Sequence, residues 1–234
     1  MSAHSLFSQS EEFVGTDELL LERPDLRVIR NMIPEHSRIL DLGCGAGRLL
    51  KSLKNDKHAF VTGVERDPDE LFKCVACGVP VIQANFDTDL ADFPDDVYDF
   101  VILSRTLQAV RRPDLLLKEM LRVARTGIVS FMNFGHINCR VPILFGNMPV
   151  NRNLPRPWYN TQTIHPGTVD DLRNLFKELN IKVLKEIPLS NEGDFMPWLC
   201  KLWPNLFASN CVFVIRKNEE AAVPEKENSG IVQK

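Results

Sequence analysis

The stretch RILDLGCGAGRLL, Arg38 to Leu50, sets a short apolar run directly against three glycines, Gly43, Gly45 and Gly47, and then turns into a helical pattern. A strand, a glycine-rich turn and a helix start at the carboxyl edge of a parallel sheet make a ligand crevice. The turn lets backbone approach the ligand, and the helix start offers unpaired N–H groups. The dinucleotide fingerprint is G-x-G-x-x-G, whereas here Asp41 leads into D-x-G-x-G-x-G, with Arg48 standing where the third glycine is required. That disfavours NAD. A P-loop is disfavoured as well, because its glycine spacing and its lysine are missing.

Outward from this stretch, apolar segments rich in branched residues alternate with helical patterns, as in a parallel sheet covered by helices on both faces. Strands are expected at Arg38 to Leu42, Phe60 to Glu65, Val79 to Ala84, Tyr98 to Leu103 and Gly127 to Phe131. Helices are expected near Arg48 to Leu53, Asp69 to Cys77 and Pro113 to Val123, the last opened by Pro113 and Asp114, which suit a helix start. Glu65 ends the second strand about 20 residues beyond the glycines, the spacing at which a carboxylate accepts hydrogen bonds from two ribose hydroxyls. Asn85 and Asp87 follow the third strand as acceptors suited to an adenine amino group. Cys44 has no partner base in the sequence and reads as a small buried residue.

After Phe131 the alternation breaks. Residues 134–166 carry several prolines and no sustained period, and are expected to form a long irregular lid, packed down by Trp158, Tyr159 and Ile164. His136 and His165 bracket it and are candidates for handling a proton, with Tyr159 and Asn133 as hydrogen-bonding groups beside them. Thr168 followed by Asp171 predicts a capped helix, and strands follow near Ile181 to Ile187 and Cys211 to Arg216, for seven in all. Trp198, Leu199, Leu202 and Trp203 have helix-like spacing: buried they are core, exposed they are an aromatic interface. The expected organisation is an extension over 1–32, one domain over 33–216 with the lid at 134–166, and a flexible tail over 217–234.

The 234 residues carry 28 Lys and Arg against 31 Asp and Glu, a net charge of -3, so no basic excess points to nucleic acid. No run approaches the roughly 18 apolar residues of a membrane helix, and the amino terminus lacks a leader pattern, so a cytoplasmic protein is expected. The six cysteines are expected as thiols. Cys74 and Cys77 form a C-x-x-C, but no second pair or histidine cluster completes a metal site, and no metal is expected.

Glycine loop, ribose acid and adenine acceptor, in that order, resemble the class I S-adenosylmethionine-dependent methyltransferases, a Rossmann-like α/β fold with a mostly parallel seven-stranded sheet. The strings TLQAVRRPD (Thr106 to Asp114) and NFGH (Asn133 to His136), with WYNTQTIH further on, narrow the resemblance to the MetW-type methionine-biosynthesis proteins over Arg38 to Leu189. This implies S-adenosylmethionine or S-adenosylhomocysteine contacts at Asp41, Gly43, Cys44, Gly45, Gly47, Glu65, Asn85, Phe86 and Ser104. It also implies work beside homoserine O-acyltransferase in homoserine activation, the alternative being independent methyl transfer to a small molecule. The chain departs from the family in having Asn85 for an acid, and Arg105 for a neutral glutamine. An arginine in the pocket would repel the cofactor's sulfonium unless a carboxylate compensated it.

Overall fold

A computed structural model describes residues 23–85, 89–161, 163–191, 194 and 196–218. The sheet is built from β1 (Arg38–Leu42), β2 (Phe60–Glu65), β3 (Val81–Gln83), β4 (Tyr98–Ser104), β5 (Ala124–Met132), β6 (Ile181–Leu189) and β7 (Asn210–Lys217). Their order is β3-β2-β1-β4-β5-β7-β6, and β7 pairs antiparallel with both neighbours while the other pairs are parallel. Six strands therefore point the same way, and the loops that follow β1, β2, β4, β5 and β6 gather at one edge.

The helices are α1 (Pro24–Met32), α2 (Arg48–Lys57), α3 (Pro68–Ala76), α4 (Pro113–Val123), α5 (Ile137–Leu144), α6 (Val169–Glu178) and the short α7 (Pro204–Phe207). Strand alternation sends neighbouring side chains to opposite faces. On one face Ile39, Ile102, Ile128 and Val212 pack under α1, α2 and α3, which contribute Ile29, Leu50, Leu53 and Cys74. On the other, Leu40, Val101, Leu103, Val129 and Phe213 pack under α4 and α6 through Leu117, Met120 and Phe176. The Phe176 and Phe213 rings meet edge to face, 5.4 Å between centroids. The expected capping box closes as well: Asp171 N–H donates to the Thr168 hydroxyl at 3.2 Å, and Thr168 N–H to the Asp171 carboxylate at 2.9 Å.

Four local expectations are corrected. Strand β3 is confined to Val81–Gln83, because Pro80 has no N–H for the ladder and serves only through its carbonyl, which accepts from Gly63 N–H. Helix α2 continues past Leu53 through Lys54, Asn55, Asp56 and Lys57, polar residues that carry no apolar period; Arg30 of α1 pairs with Asp56. Helix α1 lies in the stretch assigned above to the extension, yet Leu26 and Ile29 are buried in the core. Between 134 and 166 the chain forms α5, interrupted by Pro142, and a short turn at Trp158–Asn160. Trp158 and Tyr159 stack edge to face on each other and stay exposed, as does Ile164, so they do not pack this segment down.

Candidate functional site

The carboxyl edge between β1 and β4 holds a pocket lined by Asp41, Gly43, Cys44, Gly45 and Ser104, five of the nine residues expected to contact a cofactor. Gly43, Gly45 and Gly47 all have φ between +55° and +76°, backbone that a side chain rarely tolerates. Close packing adds a second constraint, since a Cβ on Gly43 would lie 2.8 Å from the Thr106 hydroxyl. The Cys44 thiol packs over Gly63 on β2, where burial raises its pKa, which makes it a packing residue of the loop.

Glu65 braces the loop from β2. Its Oε2 accepts from Gly45 N–H at 2.8 Å, and its Oε1 from Arg66 and Asp67 N–H at 2.8 and 2.9 Å. A carboxylate offers about four lone-pair sites, so Glu65 retains capacity for hydroxyl donors. Asp41, one strand away, is 3% exposed, and its Oδ1 is buried without a hydrogen-bond partner. Burial pushes its carboxyl up to about 7, against the pull of Arg23 and with repulsion from Glu65 added. A buried acceptor left open at the mouth of a glycine cradle suits a ligand that brings its own donor, such as an ammonium.

Sequence reasoning missed the third wall, which comes from the start of α1. Arg23 donates to Asp25 Oδ2 and to the Ser104 hydroxyl, both at 2.6 Å, and lines the pocket beside Asp41. Asp25 is fully buried; besides Arg23 it accepts from Arg105 at 3.2 Å and from the Ser130 hydroxyl at 2.7 Å. Burial alone would raise the Asp25 carboxyl, but Arg23 and Arg105 more than reverse this and hold it at about 2. Arg105, the departure noted above, takes the left-handed conformation (φ +60°) at the end of β4 and meets the compensating carboxylate it needs. The signal was present: Pro24 and Asp25 have the same helix-start chemistry as Pro113 and Asp114.

Asn85 leaves β3 at the same edge, where its backbone N–H donates to Asp89 and its carbonyl accepts from Asp89 N–H. Phe86 and Asp87 lie outside the described residues.

The strings that carried the family resemblance act as staples. Gln108 of TLQAV accepts from Met132 N–H and donates to the Met132 and His165 carbonyls, tying β5 to residue 165. Asn133 of NFGH donates to the carbonyls of Pro204, Asn205 and Ala208 and accepts from Gly135 and Val169 N–H. His136 caps α5, its Nδ1 accepting from Asn138 N–H. The two proton-handling candidates, His136 and His165, and the hydrogen-bonding Tyr159 are not assembled. His136 is buried in a separate cavity, while Tyr159 and His165 are exposed and line neither that cavity nor the glycine-loop pocket. Cys74 and Cys77 lie in and just after α3, and among the described residues no group of three or more His, Cys, Asp or Glu could hold a metal. Among these residues no helix is long and apolar enough to cross a membrane.

Sheet order, glycine loop and acid-bearing second strand define a class I methyltransferase fold. Solved S-adenosylmethionine-dependent methyltransferases share it: one from Mesorhizobium loti superposes with a TM-score of 0.60 at 19% identity, covering 87% of this chain and 100% of that one. One from Archaeoglobus fulgidus gives 0.59 at 16% identity, covering 85% and 94%. The family model for methionine biosynthesis protein MetW matches residues 23–215, and the chain belongs to that family. It is 36% identical over 174 residues to the bifunctional methionine biosynthesis protein MetXA/MetW of Rhodopirellula baltica, spanning 70% of this chain and 28% of that relative. The matched region begins at Arg23, so it includes the Arg23 and Asp25 wall.

Proposed function

We propose that this protein binds S-adenosylmethionine or S-adenosylhomocysteine at the glycine loop and serves in the cytoplasm as a companion to homoserine O-acyltransferase in methionine biosynthesis. Asp41 Oδ1 would accept from the cofactor's ammonium, Glu65 from its ribose hydroxyls and Asn85 from its adenine side. Arg23 at the mouth would face the carboxylate, and Asp25 would neutralise Arg105 so that the sulfonium meets no bare charge. When bound, the cofactor would supply a methyl group or a signal of methionine supply.

The observation that carries the companion role is exposed apolar surface on the loops after β5 and β6. Ile143, Leu144 and Phe145 end α5 with Leu144 81% exposed, and Trp198, Leu202 and Trp203 follow β6 with Leu202 77% exposed. Apolar surface of this kind marks interaction sites, and aromatic residues are enriched in them. The Rhodopirellula relative, whose name joins MetXA and MetW in one bifunctional protein, supports the same reading.

The test is homoserine acylation by the cognate acyltransferase with and without this protein. A large rise on addition is expected, together with at least about a tenfold weaker association, 1.4 kcal/mol, when Leu144→Asp and Trp203→Asp are combined. No dependence on the protein would sink the companion role. Gly45→Val, at φ +55°, should abolish cofactor binding; if acylation then no longer responds to the cofactor, sensing is assigned to the loop.

A further inference from the structure

The loops after β5 and β6 enclose a second cavity of about 170 Å³ that shares no lining residue with the glycine-loop pocket. Its wall is a network of amides. Asn151 accepts from Asn153 and Leu154 N–H, Asn153 donates to the Ser209 carbonyl, and Asn191 donates to Asn153. These amides hold their loops together; Asp194 joins them, its Oδ2 accepting from Asn191 N–H at 2.5 Å and its Oδ1 from the Asn138 amide at 3.4 Å, and His136 faces it across the cavity.

His136 is 2% exposed. Because Nδ1 accepts the Asn138 N–H, the neutral imidazole carries its proton on Nε2, which is buried with no partner within hydrogen-bond distance, although the Phe207 carbonyl faces the ring. Burial holds the ring below its ordinary pKa, opposed by the Asp194 carboxylate and the Phe207 carbonyl. Asp194 Oδ2 lies 3.9 Å from Nε2, too far for a direct hydrogen bond. One oxygen at about 2.8 Å from each would fill that gap, accepting from Nε2–H and donating to the carboxylate. A hydroxyl does both; a carbonyl, an ammonium or a methyl does not. The cavity is larger than a single water requires, Met132, Cys139 and Leu154 offer apolar contact for a short carbon chain, and exposed Arg152 supplies a guanidinium at the rim.

We propose that this cavity is a binding site for a small hydroxylated carboxylic acid of the hydroxy-amino-acid class, its hydroxyl bridging His136 and Asp194 and its carboxylate on Arg152. The site deepens the proposed function and rests on it for the choice of probe, L-homoserine. L-2-aminobutyrate, the same skeleton without the hydroxyl, is the control. Binding is read on this protein alone from the His136 imidazole nitrogen and proton resonances, so failure here leaves acyltransferase stimulation to stand or fall separately.

L-homoserine should shift the His136 Nε2 signals in a saturable way, with L-2-aminobutyrate at least tenfold weaker. Arg152→Gln, at an exposed position that spares the fold, should weaken homoserine about tenfold. If neither compound perturbs His136, the gap holds water only and the proposal is overturned. Equal binding of the two, or unchanged affinity in Arg152→Gln, overturns it as well.

Discussion

The tetrapeptide Arg-Pro-Asp-Leu occurs twice, at Arg23 to Leu26 and at Arg112 to Leu115, and opens a helix both times. Local geometry is nearly the same: the arginines precede the helix at φ -118° and -128°, and each donates to the aspartate two residues on at 2.6 Å. Surroundings differ. Asp25 is fully buried and gathers Arg23, Arg105 and Ser130 beside the glycine-loop pocket, whereas the Asp114 side chain is 32% exposed and serves its own helix end. Leu26 is core, and Leu115 faces solvent. Four identical residues thus make the same local structure and carry different duties, because position in the sheet decides how much water surrounds the charge.

The sharpest way to break this comparison is Asp25→Asn. It leaves two arginines facing a neutral amide in a largely dry site, and the loss should be about 3 kcal/mol, moderated because the Arg23 and Arg105 side chains keep 28% and 20% of their exposure. Urea denaturation measures it; a loss within the range of a surface pair would mean that Asp25 is no keystone.

Acid titration comes next. The folded Asp25 carboxyl sits at about 2, below its ordinary 3.8. Its contribution is complete above the ordinary value and is lost as pH falls through about 2, some 2 kcal/mol in all. The stability curve of Asp25→Asn should be flatter than that of the native protein over that window. Parallel curves would assign the acid loss to other carboxylates.

The smallest effect is expected for Asp114→Asn. The Arg112 hydrogen bond holds the Asp114 carboxyl at about 2 also, yet the pair stands in water and should be worth less than about 1 kcal/mol. A cost equal to that of Asp25→Asn would show that the local motif, not its burial, sets the energy.

Much of the glycine-loop edge was legible because its signals are local. A glycine needed at positive φ, an acid at a fixed distance along the chain and the branched strands around them are all written in short windows. Asp41, Gly43, Cys44, Gly45 and Ser104 do line one pocket, with Glu65 braced against its loop. What was missed is non-local. Arg23 and Asp25 meet Ser104, Arg105 and Ser130 across 80 or more positions of sequence. The sequence placed His136, Tyr159 and His165 around one lid; the structure buries the first and exposes the other two, since α5 and the turn at Trp158–Asn160 have no periodicity to announce their faces.

By itself the sequence determined the alternation of strands and helices, the glycine loop and the family, because each depends on backbone conformation and periodicity over a few residues. Tertiary structure alone decided which of two identical helix starts became the wall of a site, which histidine was left with an unpaired N–H, and which aromatic residues stayed on the surface. Those outcomes depend on which distant groups exclude water from a charge, a ring or a donor, and dehydration is a property of the assembled fold.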